Sequence, residues 1–226
     1  MNDKSEFEER NMFRLIAGAT IEDISGLKEE YQVNENKLRA NVSAEKIPQV
    51  FISFLKKMRE DEPLFLFIEA PCKEEDELRI NSSQTENDEY IKKYHKDVYY
   101  LDGWDRENLL ELFQSVVGEL LVNDGFVCFG MGSLESHIEL GKYEYNVLAG
   151  YLYGNEGKFL TDIFDDLGIS HVPEIITAWD LISDENTGTR RIIKNNGKDI
   201  YTLIDQLKEL GLYKAETREE DSGAIV

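Results

Sequence analysis

Leu64-Phe65-Leu66-Phe67-Ile68 has no polar position and stands between Pro63 and Pro71. Successive side chains of a strand point to opposite sides of a sheet, so a run that is apolar throughout needs cover on both faces. The run is therefore expected to be a central strand. Around it the periodicity changes. From Ser43, read as an N-cap, the residues Ile47, Phe51, Phe54, Leu55 and Met58 recur at three-and-four spacing and predict a helix. Pro48 falls in its first turn, where a missing N–H costs least. Asp105 as N-cap, with Leu109, Leu112, Phe113, Val116 and Leu120 behind it, predicts the strongest helix, and Asn123-Asp124-Gly125 ends it.

Further strands are expected at Asp97 to Leu101, Phe126 to Phe129, Tyr143 to Tyr153, Ile175 to Ile182 and Thr189 to Ile193. Asn196-Gly197 is the strongest hairpin turn signal in the chain. Helices are expected over Gly157 to Leu167, closed by Gly168, and through Leu203, Ile204, Leu207 and Leu210, closed by Gly211. Lys73 to Lys96 reads as an acidic surface excursion that holds at most a short helix near Tyr90. Strands and helices mix without strict alternation, which predicts an α+β fold: a mostly antiparallel mixed sheet packed by amphipathic helices. The domain plan is an N-terminal helical extension over 1–42, a single α+β domain over 43–214, and a flexible tail over 215–226. In the extension, Phe7, Met12, Phe13, Leu15 and Ile16 are read as one side of a short helix.

Charge limits the partners. Against 46 acidic side chains stand 25 basic ones, a formal net charge of −21 on 226 residues. Such a field repels phosphate backbones and anionic lipid, so neither direct nucleic-acid binding nor membrane association is expected. It favours cations and basic proteins. The acidic start of the chain does not read as a secretory signal, and two cysteines without a C-x-x-C pair suit a reducing compartment, so a cytoplasmic location is expected.

The catalytic signatures fail in turn. Gly130-Met131-Gly132-Ser133 is expected to follow a strand, the right place for a phosphate cradle, but position 135 is Glu135 and no Gly-Lys-Ser/Thr tail exists. His137-Ile138-Glu139 matches the H-x-E of zinc deaminases without the downstream P-C-x-x-C that chemistry requires. The histidines His95, His137 and His171 would have to converge to hold a metal, which spacing alone does not imply. Cys128 falls in an apolar strand and Cys72 among acids, settings that disfavour a thiolate. No cofactor motif is found, and no residue is assigned a catalytic role.

Tyrosines give the remaining signal. On a regular strand Tyr143, Tyr145, Tyr151 and Tyr153 would share one face, a large amphipathic surface suited to protein recognition. With Asp165 and Asp166 they form the candidate interaction set. The function expected from charge and tyrosines is an acidic protein-binding module, an immunity or antitoxin-type inhibitor of a basic protein such as a nuclease. The alternative is a hydrolase using convergent carboxylates, with or without a divalent metal.

Overall fold

The computed structural model describes residues 13–83, 94–152 and 158–220. The first half contributes β1 (Ala19–Ile21), β2 (Glu30–Asn34), β3 (Lys37–Asn41), α1 (Ile47–Lys57), β4 (Leu64–Pro71), α2 (Glu74–Ser83) and β5 (Tyr94–Trp104). Next come α3 (Arg106–Gln114), α4 (Val116–Asn123), β6 (Cys128–Ser133), β7 (Ile138–Lys142), a 3-10 turn (Glu144–Asn146) and β8 (Val147–Tyr151). The last third holds α5 (Lys158–Asp166), β9 (Ser170–His171), α6 (Ala178–Leu181), β10 (Gly188–Arg190), α7 (Ile200–Lys208) and β11 (Tyr213–Glu220). Nine strands form one sheet in the order β11-β5-β4-β6-β7-β8-β3-β2-β9, antiparallel except for the β2–β9 pair. β1 and β10 form a separate two-stranded ribbon. The fold is α+β with a mostly antiparallel mixed sheet, as the pattern of elements predicts.

The apolar run lies where its composition requires. β4 sits between β5 and β6, and Leu64, Leu66, Ile68 and Ala70 point into the main core while Phe65 and Phe67 point the other way. Phe51 and Phe54 of α1 are fully buried; the Phe51 ring stacks 4.6 Å from Phe129 of β6 and 5.5 Å from Phe113 of α3. Burying each such side chain contributes roughly 1.5–3 kcal/mol. The helices α1, α3, α4, α5 and α7 all bury their apolar stripes in this one cluster, so they cover one face of the sheet. Among the described residues no helix is long and apolar enough to cross a membrane.

Several capping expectations hold, although α1 is capped by Lys46 and not by Ser43, whose carbonyl accepts from Lys46 N in the turn before the helix. Asp105 accepts the Asn108 N–H at 2.8 Å, and Gly168 and Gly211 adopt positive φ just past their helices. Asn196 and Gly197 have φ of +49° and +79°, with Asn195 and Lys198 bridged across them, the geometry of a tight hairpin turn.

Other expectations give way. The long helix after Asp105 is two helices, because the Ser115 hydroxyl donates to Leu112 O at 2.6 Å and accepts from Val117 N at 3.2 Å, capping α4. Of the helical extension over 1–42, Phe7 and Met12 lie outside the described residues. From Ala19 to Asn41 the chain forms strands, and β2 and β3 enter the main sheet. The surface excursion holds α2 at Glu74–Ser83; the region near Tyr90 lies outside the described residues. Ile175 to Ile182 is loop and α6, since Thr177 and Asp180 satisfy each other's backbone and side chain in a capping box.

The stretch read as a tail pairs along β5 from Tyr213 to Glu220, leaving only 221–226 outside the described residues. Edge strands are commonly charged, and so resemble tails in composition. Here Arg218 reaches Glu69 at 3.0 Å, and Thr217 donates to Asp97 at 2.7 Å.

Three backbones meet where the ribbon joins the core. Gly18 N donates to Asn123 O, Gly125 N to Arg191 O and Arg191 N to Gly18 O, at 2.8 to 3.1 Å. A Cβ on Gly125 would stand 2.0 Å from Gly18 O, so this crossing needs glycine.

Candidate functional site

Helices cover one face of the sheet; the other face is paved with aromatic rings. The pairing of β4, β6, β7 and β8 sets two cross-strand rows on it. One runs Phe65, Gly132, Glu139, Tyr151, and the next runs Phe67, Gly130, Gly141, Ala149. Gly130-Met131-Gly132 is thus part of a strand, not a loop after one. A Cβ on Gly130 would meet the Phe67 ring at 2.2 Å, and one on Gly132 the Phe65 ring at 2.8 Å. The glycines leave space that phenylalanine rings fill, a packing device that has nothing to do with phosphate. Tyr100 extends the pavement, with its ring centroid 6.3 Å from both Phe65 and Phe67 and 6.4 Å from Tyr213. At the other side Tyr143 lies edge-on to Trp179 at 6.5 Å, and the Arg39 guanidinium sits 5.9 Å from that indole.

Two carboxylates rise from this face. Glu69 is held above the ordinary carboxylate range by burial, a shift that Arg218 and Lys96 partly oppose. Glu139 is raised by burial and then by the negative charge of Glu69. Among the described residues Glu139 has no hydrogen-bond or ion-pair partner. It lines an open pocket of about 240 Å³ with Phe65, Ser133, Leu134, His137, Ile138 and Tyr151. A half-buried carboxylate without a cation is an unfavourable arrangement that a positive ligand would relieve.

Stability reports this directly. Because the Glu139 pKa is higher in the folded chain than in the unfolded one, folding is favoured by protonation and weakened as pH rises through the raised value. Glu139→Gln is therefore expected to melt at a higher temperature than the parent at pH 7. The gap should close at about pH 4 and below, where the carboxylate is protonated in both states. Calorimetry at the two pH values checks it, and a lower melting temperature at pH 7 would contradict the desolvated setting of Glu139.

The expected tyrosine face does not form as such. Between β7 and β8 the chain turns through Glu144–Asn146, with Tyr145 and Asn146 at φ of +53° and +67°. Tyr145 is buried, its hydroxyl against Gly188 of β10. Tyr143 is half-buried on the aromatic face, with its hydroxyl pKa pushed up by burial. Tyr151 is 40% exposed at the Glu139 pocket. Tyr153 lies outside the described residues. A turn replaces the strand because Asn146 suits left-handed backbone and its fully buried side chain is satisfied: Nδ2 donates to Arg14 O and Val42 O, and Oδ1 accepts from Ile16 N, all at 2.9 Å.

Asp165 and Asp166 are exposed on α5, whose apolar side packs on the helix-covered face. Asp165 accepts from the Tyr31 hydroxyl at 2.8 Å. The two aspartates are thus not brought together with Tyr143 and Tyr151.

The three histidines are dispersed. His95 is buried on β5, with Nδ1 2.9 Å from Glu77; His137 is in the β6–β7 turn; His171 lies on β9 beside Tyr31. β5 and β9 are separated by six strands, each spaced about 4.8 Å from the next. Among the described residues no group of three or more His, Cys, Asp or Glu could hold a metal ion. Both cysteines are buried and free, and burial pushes the Cys72 thiol up to about 12.

Glu69, Phe65 and Tyr100 were not singled out by sequence, and Glu139 entered only through the H-x-E pattern that lacks its downstream cysteines. The available signal was a carboxylate between apolar partners in Ile138-Glu139-Leu140, which marks the second face of a strand but does not say what stands beside it. No family model, curated protein or solved structure matches this chain.

Proposed function

We propose that this chain is an acidic, cytoplasmic protein-binding module of the immunity or antitoxin type, which captures a basic protein such as a nuclease on its aromatic sheet face. The observation that carries the reading is Glu139, a half-buried carboxylate with no cation partner among the described residues, set between aromatic rings. Rings supply rigid contact area and carboxylates supply the charge that a phosphate-binding groove selects. Tyr143 and Tyr151 contribute to the contact surface. Asp165 and Asp166, from the opposite side, strengthen the negative field that steers the partner in. The same field leaves the chain without direct affinity for nucleic acid or anionic membranes.

Titration calorimetry against a panel of cationic nucleases, with nuclease activity read in the same samples, tests the proposal. Binding is expected to inhibit and to weaken about tenfold or more between low and high salt. Tyr151→Ala and Glu139→Gln should each weaken it by about tenfold. Failure of the whole panel to bind at low salt removes the reading.

Glu69 and Glu139 lie on one face, both raised by burial and the second also by the charge of the first, which favours a second reading, hydrolysis by convergent carboxylates with or without a divalent metal. Turnover of a small ester or glycoside that is lost in both Glu69→Gln and Glu139→Gln would put this reading in place of the first.

A further inference from the structure

We propose that the Glu139 pocket reads an arginine side chain of the partner, in preference to lysine. This rests on the protein-binding reading and names the group recognised. Phe65, Gly132, Glu139 and Tyr151 occupy one cross-strand row, so the carboxylate stands between a ring on either side. The Phe65 ring lies over Gly132, next to Glu139, and is nearly buried, whereas Tyr151 is 40% exposed and Leu134 at the rim 76% exposed. Ser133 and His137 complete the wall, and the volume of about 240 Å³ is below that of pockets for drug-sized ligands, a size suited to one side chain.

Three properties of this site match a guanidinium. Its planar fork binds a carboxylate through two parallel hydrogen bonds, which an ammonium does not do. Its flat face stacks on an aromatic ring such as that of Tyr151. It is more weakly hydrated than an ammonium, so it loses less on entering a pocket walled by Phe65 and Leu134. Of the cations on this face, Arg218 is held by Glu69 and Glu216, Lys96 by Glu144, and Arg39 lies against the Trp179 ring. Lys37, the next residue in the row beyond Tyr151, is exposed.

The test uses the full chain and two probes, a short arginine-rich peptide and its counterpart with every arginine replaced by lysine. Calorimetry at low salt is expected to give about tenfold tighter binding of the arginine peptide. Glu139→Gln should abolish that preference and Tyr151→Leu should reduce it, while Glu111→Gln on the exposed side of α3 should leave it intact. Gln at 139 removes a buried charge, so the variant is expected to fold, and its thermal melt verifies this. If both peptides bind equally, or if Glu139→Gln keeps the preference, the arginine pocket is wrong while capture of a basic partner stands. If neither peptide binds but a cationic nuclease does, the pocket is likewise wrong. Failure of peptides and nucleases alike overturns both proposals.

Discussion

Glu144→Ala is expected to lose about 3–5 kcal/mol of folding stability at neutral pH, the usual cost of removing one member of a buried ion pair. Glu144 Oε1 accepts from Lys96 Nζ at 2.6 Å and from Arg190 Nη1 at 3.4 Å, and all three side chains are largely buried. One carboxylate thus ties the β7–β8 turn to β5 and to the ribbon strand β10. Burial alone would raise its pKa, but the Lys96 ammonium and then Arg190 override that and hold it down at about 2.

The sign for pH follows from the lowered value. An unfolded glutamate takes up its proton near 4.5, above the folded value, so the contribution is complete above that pH and fades as pH falls toward 2. Urea unfolding of parent and variant at neutral pH and at steps down to about pH 2 is the measurement, with a wide gap at neutral pH that narrows through the acid range. Equal stabilities at pH 7 would mean that the network has no net stabilising effect.

Lys142→Ala should cost about as much, roughly 3–5 kcal/mol, for a different reason. Lys142 is fully buried on the helix-covered face of β7, and its ammonium donates to Asp124 O at 3.0 Å and Val127 O at 2.9 Å. Alanine leaves both carbonyls without that donor and opens a cavity beside Phe129, the cross-strand partner of Lys142. Lys142→Met fills most of the volume without restoring the donor, so it should cost about half as much.

Burial lowers the Lys142 pKa from 10.5 to about 8, so between those values the unfolded chain binds more protons and this residue's contribution rises with pH. The stability difference between parent and Lys142→Met should therefore grow from pH 8 to pH 10. A difference that is flat across that window would show that the ammonium keeps its ordinary affinity for protons in the fold.

Where local chemistry decides, the sequence was legible. Leu64 to Ile68 announced a central strand because every position was apolar, and Asp105, Gly168, Asn196 and Gly211 marked ends and turns because caps and positive φ are set by one residue and its neighbours. Ser115 was missed, since a helix-breaking hydroxyl looks the same as a solvent-facing one until its bond to Leu112 O is known. β11 was missed because charged edge strands and loose tails share a composition. The tyrosine face was read from period two, and that period fails at Glu144, whose carboxylate is drawn toward cations 48 and 46 positions away in sequence.

Fold class, the central strand, the caps at Asp105, Gly168 and Gly211 and the negative field were readable in the sequence, since each depends on composition or on residues within one turn of each other. Tertiary packing alone set which face of the sheet the described helices cover, and placed Phe65, Gly132, Glu139 and Tyr151 in one row. Those neighbours come from four different strands, and the register that aligns them is fixed by packing the opposite face against the core.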